Sequence, residues 1–350
     1  MFSEYTSLPY GFLKEIASQK QYWMFDGIIN TITEGIRQEI ITEKYQWKEI
    51  WYKHKLEGNK IRKIGIQDIK QQLYDYIAVN GLMELFNKKI GYYQCAALPG
   101  KGQVFGKRAI EKWLRSSKAR YGWKGDAKKY YENIDKSVLK SLLRKYVKNQ
   151  KLLLLTFSLI DSFEHGLSIG SYLSQYLANF YMSFIYHFAS EKLFVARNTK
   201  RSGTKRVRMI KNILIYMDDI FIIGTNLKYL KNAVRKIKRY ASEVLHISIK
   251  SEETWIDFKD GYIDIMGFLI SKKKTIVRPS TFRKYRRSIF NAKKRKRITR
   301  KEAYRIISRW GWLSNANCKR FEKRFRANEI NKMSRRLISS GKNVIYFAAG

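Results

Sequence analysis

Proline, cysteine and acidic residues are scarce in this chain, and no apolar stretch is long. Three prolines in 350 residues (Pro9, Pro99 and Pro279) leave few breakers to mark boundaries between segments. Two cysteines, Cys95 and Cys318, form neither a metal-ligand spacing nor a disulfide framework, which predicts a reducing cytosol. Four histidines (His54, His165, His187 and His246) are scattered, as packing or surface residues are. No apolar stretch approaches ~18 residues, so no transmembrane helix is expected. Met1 to Thr6 lacks the basic-then-apolar order of a signal peptide. Asp and Glu number only 29 against 71 Lys and Arg, a formal net charge of +42.

Self-repulsion at that charge is costly, and a polyanion is the natural partner. Each phosphate neutralised releases counterions, which makes binding tight and salt-sensitive. Hydrophobic residues at 45% supply a globular core, so the chain is not a disordered basic tail. Aromatics at 15% suit stacking on bases, although most of them belong to the core. A ribosomal-type binder or a membrane-surface protein would share the charge.

Such a protein would have no use for the segment Asn212 to Gly224. Asp218 and Asp219 there interrupt two apolar, β-prone runs, which predicts a buried hairpin with an acidic turn. Adjacent carboxylates repel and add nothing to a hairpin core. They become useful around a strong cation, and Mg²⁺ takes one or two carboxylates together with substrate phosphates.

The coarse pattern along the chain is mixed. Residues 10 to 90 read as mostly helical. Leu98 to Gln103 is a loop whose Lys and Gly content suits phosphates, with Lys101, Lys107 and Arg108 as candidate contacts. Ala109 to Leu114 reads as helix, and Tyr121 to Asp126 as a short strand ending at an acid. Lys136 to Leu155 and Leu173 to Ala189 read as helices, Arg197 to Arg208 as a basic loop, and Lys228 to Leu245 as a basic amphipathic helix. Tyr262 to Ile270 and Thr275 to Val277 read as strands. Beyond Arg278 the composition shifts: Arg283 to Arg300 is densely basic, and two helices are expected to follow.

Several of these segments carry a family likeness. Tyr216-Met217-Asp218-Asp219 matches the Tyr-x-Asp-Asp box of reverse transcriptases. Asp126, with Tyr130 and Tyr131 four and five positions later, resembles the box in which an Asp opens the motif and aromatics follow; by itself Asp126 reads equally as a helix N-cap. Between them, Ile169-Gly170-Ser171-Tyr172-Leu173-Ser174-Gln175 stands where relatives of the group II intron enzymes have Gln-Gly-x-x-x-Ser-Pro. The version with a hydrophobic residue for Gln and Gln for Pro is similar to the reverse transcriptases of diversity-generating retroelements. Ile263 to Phe268 resembles the family's primer grip, and Ser308 to Asn317 its thumb. The likeness covers about residues 90 to 320.

The resemblance implies an α+β, right-hand polymerase. Its N-terminal extension and fingers would span 1–118, with a second fingers part at 136–165. The palm would take 119–135 and 166–277, and a basic helical thumb 278–350. It implies catalytic Asp126, Asp218 and Asp219, and two Mg²⁺ ions, with Mn²⁺ able to substitute, at Asp126, Ala127, Asp218 and Asp219. Tyr131 would be a steric gate against the 2′-hydroxyl. Ile169, Gly170 and Lys250 would meet the nucleotide, with Lys250 reading equally as a solvent lysine. Gln175, Tyr216, Met217, Met266, Gly267 and Trp310 would meet primer and template. Implied partners are template RNA, a cDNA or DNA primer, deoxynucleoside triphosphates and a small basic accessory protein of the same element, with no membrane. The implied location is the cytoplasm, the gene being bacterial, archaeal or phage-borne. The implied product is cDNA with errors opposite template adenines, because Ile169 cannot make the hydrogen bond that Gln makes. Retron enzymes carry Asn-Ala-x-x-His and Val-Thr-Gly signatures that do not occur here. Intron enzymes are expected to continue into a maturase or nuclease domain. A non-catalytic RNA-binding protein of the same fold is the reading from another class.

Overall fold

The computed structural model describes residues 22–57, 60–116, 118–199 and 203–347. In chain order the elements begin with helix α1 (Tyr22–Thr42), strands β1 (Trp51–Glu57) and β2 (Lys60–Ile66), α2 (Ile69–Lys89), β3 (Gln94–Cys95), α3 (Gln103–Arg115) and β4 (Tyr121–Asp126). Next come α4 (Lys136–Tyr146), α5 (Gln150–Asp161), α6 (Tyr172–His187) with a π-helical turn at Phe188–Lys192, β5 (Phe194–Thr199), β6 (Gly203–Arg208), β7 (Asn212–Tyr216), β8 (Asp219–Gly224) and α7 (Leu227–Leu245). The last third holds β9 (Thr254–Asp257), β10 (Tyr262–Ile265), β11 (Phe268–Ser271), β12 (Thr275–Val277), α8 (Pro279–Arg295), β13 (Arg297–Thr299), α9 (Arg300–Leu313), α10 (Lys319–Phe325), α11 (Ala327–Ser339) and β14 (Val344–Tyr346).

These elements divide into two compact units. The first takes the described residues up to Ala97, then Asp126–Glu191 and Lys236–Ser251. The second takes Leu98–Gly125, Lys192–Arg235 and Glu252 onward.

The first unit is mainly helical. α6 is apolar on almost every side, so it folds only as a central helix wrapped by others. Tyr74, Ala78, Val79, Leu82 and Phe86 of α2 are buried, and the Phe86 and Tyr176 rings stack with centroids 5.3 Å apart. Side-chain caps fix the starts of these helices. Asp135 accepts from the backbone N–H groups of Ser137 and Val138 at α4, and Ser171 from that of Ser174 at α6. Antiparallel β1 and β2 run in register from Trp51 opposite Ile66 to Glu57 opposite Lys60.

The second unit holds the principal sheet, where β7, β8, β4 and β9 lie in that order. The β7–β8 and β4–β9 pairs are antiparallel. A smaller antiparallel sheet has the order β10–β11–β12, and β5 pairs with β6. The C-terminal helices pack around buried Tyr285, Ile289, Ile306, Leu313 and Leu337. α9 opens with a capping box in which Thr299 and Glu302 satisfy each other's backbone N–H.

Several sequence expectations hold: the Tyr121–Asp126 strand, the hairpin around Asp218, and the basic helix at Leu227–Leu245. Others need correction. The helical reading of residues 10–90 misses the β1–β2 hairpin, and its residues 10–21 lie outside the described residues. The expected basic loop at Arg197–Arg208 is the β5–β6 hairpin, whose β6 is exposed along nearly its whole length and so lacks alternation. One helix expected over Lys136–Leu155 is two, because Asn149 caps a fresh start by accepting from Leu152 N. The strand expected over Tyr262–Ile270 is two strands joined at Met266 and Gly267, with φ of 52° and 80°. Among the described residues the basic run lies mostly in α8, and three helices follow it rather than two.

Candidate active site

The acidic hairpin belongs to the second unit. Ile213, Leu214 and Ile215 of β7 and Ile220, Phe221, Ile222 and Ile223 of β8 are all buried. Tyr216 pairs with Asp219, so Met217 and Asp218 form the turn. Met217 holds φ of +54°, a region that non-glycine residues rarely enter and that costs of order 1 kcal/mol. The buried strands on both sides hold that backbone in place. Lys124 Nζ pairs with Asp219 Oδ1 at 3.0 Å and donates to the Asp264 carbonyl at 3.2 Å. Asp264 in turn accepts from Arg278 at 2.6 Å. Sequence reading passed over Lys124. The signal for it is the strand period of two, which puts Lys124 on the same face of β4 as Asp126.

The first unit holds the other half of the predicted set. Asp126 is the last residue of β4 and caps no helix, which settles the choice between strand end and N-cap. Its Oδ2 accepts from Lys250 Nζ at 2.8 Å, and its carbonyl from Lys250 N at 2.9 Å. Ala127 bridges Ile249. Lys250 is therefore an ion-pair partner of Asp126 rather than a solvent lysine. Asp126 Oδ1 is buried and has no hydrogen-bond partner among the described residues. Buried carboxylate oxygens are normally satisfied, so this one marks a place for a cation or a donor.

Tyr131 is half-buried, edge-on to Tyr130 at 5.7 Å. Its carbonyl accepts from Leu167 N at 2.8 Å. Gly166 makes that approach possible: its φ is +46°, and a Cβ there would lie 2.2 Å from the Tyr131 carbonyl oxygen. The steric-gate candidate and the Gly166–Gln175 segment are thus fastened together. Within that segment Ile169 is half-buried. A Cβ on Gly170 would stand 1.9 Å from the Gly65 carbonyl oxygen, so β2 and this segment meet backbone to backbone. Asp75 supports them from below, accepting from Ser171 Oγ at 2.6 Å, Leu173 N at 3.3 Å and Gln67 Nε2 at 3.2 Å. Burial pushes the Asp75 carboxyl above the usual carboxylate range, against those hydrogen bonds. Neither Asp75 nor Gly65 stood out in the sequence: the role of Gly65 depends on a hairpin read as helix, and that of Asp75, on α2, on partners far along the chain at Ser171 and Leu173.

The remaining primer–template candidates are half-buried or buried. Met266 is buried at 5% exposure, and Gln175, Tyr216, Met217 and Trp310 are half-buried. Gly267 is covered by Trp312, against which a Cβ would clash at 2.2 Å. Trp310 faces Tyr285, with centroids 6.1 Å apart. Lys107 is no free phosphate contact: it is buried, donates to the Asn315 carbonyl at 2.7 Å and pairs with Glu111 at 3.2 Å. Arg108 is exposed and Lys101 half-buried.

Every acid in the predicted set offers oxygen, the donor that Mg²⁺ and Mn²⁺ take. With its orphaned Oδ1, Asp126 fits a divalent ion. Among the described residues no group of three or more His, Cys, Asp or Glu side chains forms a ready metal cage. Lysine ammonium groups instead neutralise Asp126 and Asp219.

The reverse transcriptase (RNA-dependent DNA polymerase) family model matches residues 53–269, well over half of the chain. The chain belongs to the reverse transcriptases. The mixed helices and sheets described above are those of the family's right-hand polymerase fold, and the family's activity is RNA-directed DNA polymerisation, a nucleotidyl transfer. Solved structures similar to this reverse transcriptase include apo telomerase from Candida tropicalis, at 13% identity and TM-score 0.47, over 74% of this chain and 54% of that one. Another is the same apo telomerase truncated from its C-terminal domain, at 13% identity and TM-score 0.46, over 65% of this chain and 54% of that one. The chain spans about half the length of those structures. No curated protein matches it. Among the described residues no helix is long and apolar enough to cross a membrane.

Proposed function

We propose that this reverse transcriptase makes error-prone cDNA from the template RNA of a diversity-generating retroelement. The observation behind the catalytic part is the acidic turn itself. Two carboxylates occupy the tip of a hairpin whose strand interiors are buried, beside a residue held at unfavourable φ, where they contribute nothing to packing. Asp218 and Asp219, with Asp126 and Ala127 of the preceding box, are the residues that would hold two Mg²⁺ or Mn²⁺ ions. Bound there, the ions would offset charge developing on the attacking and leaving oxygens of an in-line phosphoryl transfer. Lys124 and Lys250 keep Asp219 and Asp126 neutralised until then. Released from Asp126, Lys250 carries an ammonium suited to the triphosphate. Tyr131 stands as the gate against ribonucleotides, its backbone fixed by Leu167. Gln175, Tyr216, Met217, Met266, Gly267 and Trp310 are assigned to the primer–template side.

The retroelement part rests on Ile169. Its aliphatic side chain can pack but cannot hydrogen-bond an incoming nucleotide. One neutral hydrogen bond is worth roughly 0.5–1.5 kcal/mol, a factor of about two to ten in discrimination. On this reading an N-terminal extension and fingers take residues 1–118, a second fingers part 136–165, palm 119–135 and 166–277, and thumb 278–350. The small basic accessory protein and a cytoplasmic site of action belong to the same proposal. Primer extension with and without Mg²⁺ tests the chemistry. Deep sequencing of cDNA copied from one template by the parent and by Ile169→Gln tests the subgroup. The variant should make fewer errors opposite adenine, and a uniformly accurate parent would overturn the assignment.

A further inference from the structure

In the second unit, α8 and α10 expose a line of phenylalanine rings. Phe282 and Phe290 are two turns apart on α8, and Phe321 and Phe325 are one turn apart on α10. The four rings form a continuous ladder: Phe282 to Phe321 at 5.0 Å, Phe321 to Phe325 at 4.8 Å, and Phe325 to Phe290 at 4.9 Å between centroids. A helix–helix seam would bury such a row. Here Phe290 is 41% exposed, and the other three are only half-buried. Two hollows of about 500 and 410 Å³ open along the ladder and share Phe282 and Phe321 as walls.

The charge around these rings has one sign. Lys319 and Arg320 line the larger hollow, Arg286 and Arg324 the smaller, and no acid lines either. The Arg286 guanidinium lies 5.1 Å from the Phe290 centroid, and that of Arg324 lies 5.5 Å from Phe325. α8 carries seven Lys and Arg and no acid; α10 carries four and one acid, Glu322. Cations stacked on aromatic faces stay near the surface with their donors still available. The occupant that matches is anionic along one edge and flat and apolar along the other.

Unpaired nucleotides have that form. Phosphates meet the guanidinium groups while bases slide against the rings, a combination used for single strands without regard to sequence. A duplex matches poorly, because its base faces are stacked inside and cannot reach a ring at the floor of a hollow. We infer that the α8–α10 groove is a binding site for single-stranded nucleic acid, additional to the polymerase site and independent of which retroelement the enzyme serves. It would hold an unpaired stretch of template or of the nascent strand outside the copying site.

The test is fluorescence anisotropy on the purified full chain. The probes are a labelled oligouridylate of about a dozen nucleotides and a labelled blunt RNA–DNA hybrid. Phe290→Ala should weaken oligouridylate binding by roughly 5- to 100-fold, the range for losing one base–aromatic stack. Phe290→Trp should retain it, and hybrid binding should change less than about twofold. Arg324→Gln should lower the slope of log affinity against log salt by about one for oligouridylate. Thermal melts establish that each variant is folded, and Phe290→Leu, which keeps apolar bulk but no ring plane, serves where Phe290→Ala melts early. Parent-like oligouridylate binding by the Leu variant, equal losses for both probes, or displacement of oligouridylate by polyglutamate of equal charge would each overturn the proposal.

Discussion

Gly170→Ala adds one methyl group where the structure has no room. The new Cβ would lie 1.9 Å from the Gly65 carbonyl oxygen. An ordinary carbon–oxygen approach is about 3.3 Å, so one backbone must retreat by about 1.4 Å. The obstructing atom is main chain and cannot swing aside as a side chain would. Overpacking of this kind costs about 1–3 kcal/mol. The retreat would also pull on Ser171 and its bond to Asp75. Gly311→Ala is the matched control: it lies inside α9 with nothing within 4 Å of the added methyl, and should stabilise by about 0.5–1 kcal/mol. Urea unfolding of parent and both variants reads the sign directly, and steady-state primer extension reads the nucleotide KM, expected to rise for Gly170→Ala alone. A Gly170→Ala variant as stable as the parent, with unchanged KM, would refute the contact between β2 and the Gly170 segment.

Other expectations follow from the same geometry. Asp218→Ala should reduce cDNA synthesis by orders of magnitude while filter-binding affinity for RNA stays near that of the parent; full activity would remove Asp218 from the catalytic set. Tyr131→Ala should incorporate ribonucleotides that the parent rejects, and equal incorporation by both enzymes would rule out the gate. The hydrogen bond from His246 at 2.8 Å, helped by the N–H groups of Val138 and Ser137 against partial burial, holds the Asp135 carboxyl below its ordinary value of 3.8. A depressed carboxylate stabilises the fold above that value and loses the contribution as pH falls through its folded pKa. Asp135→Ala should therefore narrow its stability gap to the parent only below about pH 4, where acid melts by circular dichroism would show it.

What could be read in the sequence depended on whether burial left a period. β7 and β8 are buried on both faces, so their apolar runs and the acids between them stood out. β4 was legible because Trp123 and its neighbours end at an acid. The β1–β2 hairpin leaves Trp51, Leu56 and Ile61 exposed, and its many lysines suit a helix as well as a strand. β6 presents Thr204, Lys205 and Arg206 to solvent in succession, which no alternation rule can detect. The missed site residues trace to the same cause. Gly65 matters only once the hairpin brings it to Gly170, Asp75 only once α2 lies beside Ser171 and Leu173, and Lys124 only once β8 lies beside β4. The identities of Asp126 and Tyr131 came from motif order, which no single element's pattern would supply.

The chain changes unit at Ala97, Gly125, Glu191, Arg235 and Ser251. That interleaving governs how the molecule can be made. No single cut yields two whole units, so splitting this protein at one point produces fragments that each lack strands or helices of their own core. During synthesis, α2 emerges with Tyr74 and Phe86 bare and waits for α6 and for the Lys236–Ser251 segment. At roughly 5–20 residues per second the interval from Ala97 to Ser251 is about 8–30 s. Over that time a strongly cationic, partly apolar nascent chain is exposed in a cell full of RNA. RNA already present there can therefore occupy its basic surfaces before its fold is complete.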